Sequence, residues 1–170
     1  MRDESGRKDI YGQLMRKLFG MLLAISVTTS AAATEIGEEV KRALEQEKHI
    51  YVSTRRANGE WSEAAPIWFM YDGEAIYFTT SPSAHKAKRI RRGSPVRIHV
   101  GRKDGTELVG SATLVSDDAT IERMGEAYRK KYWIAWFGFF RPRVGRVTSG
   151  KTIAVKVVPT SERGKTKPGT

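Results

Sequence analysis

The chain has 170 residues, long enough for one domain with its own core, and its 39% hydrophobic, 29% charged composition is that of a globular protein. Thirty Lys and Arg against 19 Asp and Glu leave a net charge of +11, which favours an anionic partner: a phosphorylated cofactor, a nucleic acid or an anionic membrane surface. The absence of cysteine excludes disulfides, thiolate nucleophiles and Cys-based metal sites, and His49, His85 and His99 lack the close spacing of a zinc site, so no metal is expected.

Residues 1–14 are polar and of mixed charge. Met15-Arg16-Lys17, an apolar run over 18–27 and small residues ending in Ala31-Ala32-Ala33 then follow in the order of a secretory signal: a positive n-region, a short h-region and an A-x-A site. That h-region is too short to cross a bilayer of ~30 Å as a helix, so no stable membrane insertion is expected after cleavage. The expectation is therefore an exported, periplasmic protein whose residues 1–33 are a signal peptide with an N-terminal extension. The alternative is a cytoplasmic protein whose N-terminal helix packs on the domain or anchors it uncleaved.

The spacing of Ile36, Val40, Ala43 and Leu44 predicts a helix over residues 35–48, with acids at its start as the helix dipole prefers. From His49 the period becomes two. This predicts a strand to Arg55, a turn at Ala57-Asn58-Gly59-Glu60, a second strand over 61–71, a hairpin at Asp72-Gly73 and a third strand over 74–80. Ser81 is a suitable N-cap and Pro82 a suitable first helical residue, so a helix is expected from there to Gly93, with Ala84, Ala87 and Ile90 inward. Strands over 95–101, 106–116 and 151–158 follow, with a helix over 117–131 that turns Ile121, Met124 and Tyr128 inward. The pattern reads as mainly β with flanking helices: a small barrel of six or so antiparallel strands in a domain over 34–160, and a flexible polar tail over 161–170.

The junction at residues 79–92 concentrates devices that bind anions. Thr79, Thr80 and Ser81 offer hydroxyls at a strand end, the next helix starts with free amides, and His85, Lys86 and Arg89 place cations within its first turns. A phosphate site explains this combination; the competing explanation is a solvated basic helix over the barrel mouth.

The run YVSTRRANGEWSEAAPIWFMYDGEAIYFTTSPSAHKAKRIRRGSPVRIHV, and the later GTELVGSATLV, resemble the pyridoxamine 5′-phosphate oxidase-like superfamily of FMN-binding split barrels. The resemblance covers about residues 36–160. It implies a split-barrel homodimer with FMN, or alternatively a deazaflavin, at the subunit interface. Thr80 and Lys86 fall on the family's phosphate-contacting threonine and lysine, Thr79 and Ser81 flank that threonine, and His85 stands where oxidases usually place an arginine. Ile67 and Trp68 fall on the strand whose backbone runs beside the flavin ring. The oxidase also places an arginine at the start of that strand and a lysine near its end, where this chain has Ala64 and Phe69, which argues against the namesake activity. No histidine stands where an axial ligand of the family's haem-degrading branch is expected.

The aromatic run 132–140 either stacks on a ring or, the preferred reading, seals the barrel or a dimer interface. Trp61 and Trp68 face the core or a bound ring, and His99 is a surface or packed histidine. Arg141, Arg143 and Arg146 read as surface charge, with contact to a cofactor phosphate from a partner subunit as the alternative. No acid–base dyad or activated nucleophile is visible, so the catalytic residues stay unassigned and the chemistry is expected to come from the cofactor. The expected function is an FMN- or deazaflavin-dependent oxidoreductase acting on a small organic acceptor. The alternative is a binding module without turnover, for a flavin or for a polyanion; nucleic acid is not expected of an exported protein.

Overall fold

The structure is a computed structural model that describes residues 36–133 and 141–160. The proposed signal segment, residues 134–140 of the aromatic run and the tail lie outside the described residues. The acid-rich segment forms α1, Glu38–Gln46, shorter than expected at both ends. Leu44 is fully buried, and Val40 and Ala43 pack on the same cluster, as the apolar spacing requires. No helix among the described residues is long and apolar enough to cross a membrane.

Strand β1, Ile50–Thr54, pairs antiparallel with β2, Ala65–Ile67. The single strand expected over 61–71 is broken. Trp61 makes only an isolated bridge to Arg55, and beyond β2 the chain resumes as β3, Phe69–Tyr71, which pairs with β4, Ile76–Thr80. The sheet continues through β5, Val96–Val100, β6, Glu107–Val115, and β7, Ile153–Pro159, in the order β2-β1-β5-β6-β7-β4-β3. Strands β2 and β3 are thus opposite edges of a seven-stranded antiparallel sheet, yet Trp68 alone separates them in sequence. One residue spans only a few ångströms, so the two edges must meet, and the sheet closes into a split β-barrel. The seventh strand arises from this break.

Alternation along β4 shows how the barrel is filled. Ile76 and Phe78 join Ile50, Val52, Ile98 and Val155 inside, sealed by Leu44 of α1. Tyr77 points the other way, to a second cluster with Ile121, Met124 and Tyr128. These three belong to α3, Asp118–Lys131, whose N-cap Asp117 accepts a 2.8 Å hydrogen bond from the Thr120 amide. The β3–β4 hairpin is closed by Asp72, whose Oδ1 accepts from the amides of Glu74 and Ala75 at 3.1 and 2.8 Å.

Helix α2 covers His85–Arg91 and does not begin at Ser81-Pro82. Ser81 instead organises a turn: its Oγ accepts from the Ser83 amide at 3.3 Å and its carbonyl from the Ala84 amide at 3.1 Å. A serine hydroxyl spent on its own turn leaves none for a helix cap, and Ala84 takes the N-cap position without a side-chain bond. The helix ends as expected at Gly93, at φ 78°, where the Ser94 amide reaches back to the Arg89 carbonyl at 3.1 Å. A further short helix, α4, Val144–Thr148, was not expected, since its sequence VGRVT combines glycine with β-branched residues.

Candidate functional site

A cavity of about 850 Å³ opens where β2, β4, the start of β7 and α3 come together. One wall is apolar: Pro66, Ile67 and Trp68 from the strand break, with Tyr128 from α3. Thr79, Thr80 and Ser81 line it from the end of β4. Because Thr80 pairs with Ile153, the residues just before β7, Lys151 and Thr152, lie alongside that strand end and line the same cavity. Arg146 also lines it, held there by the Thr152 amide donating to its carbonyl at 3.1 Å.

Arg141 and Arg143 are brought in along α3, and the Arg143 carbonyl accepts from the Arg146 amide at 3.0 Å. The contact with α3 is made at Gly125, where an added Cβ would stand 2.9 Å from the Pro142 carbonyl oxygen and 3.9 Å from Arg141 Cγ. Only a hydrogen at this position lets the 141–143 segment lie against the helix. The result is four cationic side chains around one cavity, and no carboxylate among the described residues that line it.

Trp68 is held on all sides. Its carbonyl accepts a 2.6 Å hydrogen bond from the Tyr128 hydroxyl, and its ring stacks on Tyr132 with centroids 4.3 Å apart. The Tyr132 hydroxyl accepts from the Phe69 amide at 2.9 Å and donates toward the Lys48 carbonyl at 2.8 Å. Two tyrosines from the end of α3 therefore satisfy the backbone that the strand break would orphan. Burial pushes the Tyr128 phenol well above its ordinary pKa and the Tyr132 phenol to about 12, so both remain neutral donors at physiological pH.

Of the residues singled out from sequence, Ile67, Trp68, Thr79, Thr80 and Ser81 line the cavity. His85, Lys86 and Arg89 on α2 do not. His85 is exposed. Arg89 donates to Thr54 Oγ1 at 3.2 Å and so braces the helix against β1. Lys86 is half-buried, burial lowers its pKa, and its ammonium bonds to no described residue. Elsewhere, Trp61 carries the guanidinium groups of Arg55 and Arg97 over its ring at 5.0 and 4.8 Å, and His99 sits between the Gly105 carbonyl and Glu107. From sequence, Arg141, Arg143 and Arg146 read first as surface charge and only alternatively as phosphate contacts, and Lys151 was not singled out, because a basic segment looks the same on a solvated surface. Only the pairing of Thr80 with Ile153 and the packing at Gly125 bring them to the cavity.

Similar folds recur among solved structures. A candidate pyridoxamine 5′-phosphate oxidase of Listeria innocua matches at 22% identity and a TM-score of 0.52, over 71% of this chain and 90% of that one. A candidate 5-nitroimidazole antibiotic resistance protein of Bacteroides thetaiotaomicron matches at 15% identity and a TM-score of 0.56, over 74% and 80%. An FAD and haem binding protein of Mycobacterium smegmatis matches at 15% identity and a TM-score of 0.51, over 76% and 69%. At these identities the likeness is one of fold. No curated protein matches the sequence. The match of the pyridoxamine 5′-phosphate oxidase family model to residues 36–160 spans the whole barrel and every residue lining the cavity, and the chain belongs to that family.

Proposed function

We propose that the cavity binds a flavin, FMN in the first place and a deazaflavin as the alternative, and that the protein is a flavin-dependent oxidoreductase acting on a small organic acceptor. One observation carries this reading. A flat apolar wall at Ile67 and Trp68 and a pole of hydroxyls and cations at Thr79, Thr80, Ser81 and Lys151 share one cavity. An isoalloxazine ring needs the first and a phosphate needs the second. Membership of the family and the flavin named for the M. smegmatis neighbour support it. Pyridoxamine phosphate oxidation itself is disfavoured, since Phe69 stands fully buried where the oxidase has a lysine.

A bound flavin would supply the hydride or electron transfer. The residues of this chain supply everything else. Threonine and serine hydroxyls with the nearby cations hold the phosphate, Trp68 presents a rigid apolar surface, and Tyr128 and Tyr132 fix that surface in place. Self-association as a homodimer belongs to the same proposal. Leu114, Val158 and Trp133, exposed by 46%, 44% and 73%, supply apolar surface for it. Export through residues 1–33 is also proposed, and N-terminal sequencing of the protein from its host checks it.

The direct test is a titration of the purified protein with FMN and with a deazaflavin, followed by absorbance and fluorescence quenching. Saturable quenching is expected with at least one of them. A protein that purifies colourless and quenches neither would end the flavin reading.

A further inference from the structure

Resting on that flavin reading, the charge around the cavity asks for a second anion. Arg141, Arg143, Arg146 and Lys151 line it with no described carboxylate among them. One phosphate monoester brings about −1.5 to −2 at neutral pH, a charge that Lys151 and Arg146 can balance between them without Arg141. The cations also fall into two groups. Lys151 and Arg146 are tied to the end of β4 through the Thr80–Ile153 pairing and the Thr152–Arg146 bond. Arg141 packs instead on α3 at Gly125, one turn before Tyr128, whose hydroxyl holds the Trp68 carbonyl.

Arg141 is half-buried, yet its guanidinium makes no hydrogen bond or ion pair with any described residue. A partly desolvated arginine without a partner is costly unless a ligand completes it, and its fork suits a carboxylate, sulfonate or phosphate. At about 850 Å³ the cavity lies toward the upper end of the ~300–1,000 Å³ range of small-molecule sites, roomy enough for a cofactor and a reaction partner together. We infer that the reaction partner is itself an anion, a small organic acceptor bearing an acidic group, and that Arg141 receives that group.

The test uses FMN-loaded protein, reduced with dithionite and reoxidised without oxygen by 1,4-naphthoquinone or by 1,4-naphthoquinone-2-sulfonate. The preference for the sulfonate over the neutral quinone is compared between wild type and Arg141→Gln, so that the different potentials of the two quinones cancel. The expected result is a fall in that preference of about tenfold, the scale of one charge-assisted contact, with the FMN dissociation constant changed less than threefold. Arg141→Lys keeps the charge without the fork and is expected to fall between the two. An unchanged preference in Arg141→Gln would overturn the inference while leaving the flavin reading intact. FMN affinity falling as far as the preference would assign Arg141 to the cofactor and overturn it as well. Wild-type protein that binds neither FMN nor a deazaflavin would remove both readings together.

Discussion

Trp68 lies flat on Tyr132, with ring planes 4° from parallel, at the one residue that separates the two edges of the sheet. The stack and the Tyr132 hydroxyl act on the same place, since that hydroxyl accepts from the buried Phe69 amide and reaches the Lys48 carbonyl. Tyr132→Phe should keep the stack and leave the amide unpaired, costing about 1–3 kcal/mol of stability. Urea unfolding reads this as a lower midpoint at unchanged slope. A variant as stable as wild type would mean that the hydroxyl is not what holds the closure.

Gly125 offers a sharper test of how the cavity rim is carried. Alanine there must push the Pro142 carbonyl away from 2.9 Å, and overpacking of this kind costs about 1–3 kcal/mol. Because the displaced segment carries Arg141 and Arg143, ligand binding should weaken beyond what lost stability explains. Gly145→Ala is the control, since a Cβ there meets nothing within 4 Å and alanine in α4 should hold stability or raise it by up to about 1 kcal/mol. Equal behaviour of the two variants in unfolding and in flavin titration would contradict this account.

These residues also mark what the sequence could reveal. The amphipathic spacing of Leu44, Ile121, Met124 and Tyr128 was readable because one helix face must be buried whatever the tertiary fold. The Asp72-Gly73 hairpin and the Gly93 stop were readable because their chemistry is local. The break at Trp68 was not, since a strand that changes partners keeps the same alternating pattern on both sides. Arg89 and Arg141 show the same limit for the site. Each is a basic residue in a basic stretch, and only the fold decides that Arg89 braces Thr54 while Arg141 faces the cavity. The threonines of β4, which line the cavity, stood out in the sequence because a polar strand end followed by a turn already departs from core pattern.

Stability should pass through a maximum on the alkaline side. Lys131 lies over the Phe69 ring at 3.6 Å and donates to the Leu44 carbonyl; burial, opposed by Glu47, lowers its pKa from 10.5 to about 8. Between about pH 8 and 10 the unfolded chain keeps that proton while the folded protein releases it, so stability rises with pH. Lys86, lowered by burial, adds to the same trend. Above about pH 10 the sign reverses, because Tyr77 and Tyr132, both pushed up mainly by burial to about 12, hold protons in the folded state that the unfolded chain loses. Urea midpoints taken from pH 7 to 11 should therefore rise and then fall. Lys131→Met should remove most of the rise and spare the fall, and a rise of the same size in that variant would refute the assignment.

The phosphate pole can be divided between its two candidate sources of charge by comparing FMN with riboflavin, which lacks the phosphate. Lys151 reaches the cavity through the β4–β7 pairing, whereas Lys86 is half-buried on α2 and its ammonium bonds to no described residue. Loss of one charge-assisted hydrogen bond costs about 1–3 kcal/mol, so Lys151→Ala and Lys86→Ala should each weaken FMN binding by that amount and leave riboflavin affinity unchanged. Calorimetric titration of the two ligands into each variant measures both effects. A cost confined to Lys151→Ala would place the phosphate wholly on the 146–152 side and make the basic face of α2 a solvated surface. A cost shared equally by riboflavin would show that the lysines support the fold of the cavity rather than the phosphate. The predicted pattern, FMN weakened in both variants and riboflavin in neither, requires the anion to sit between the end of β4 and both lysines.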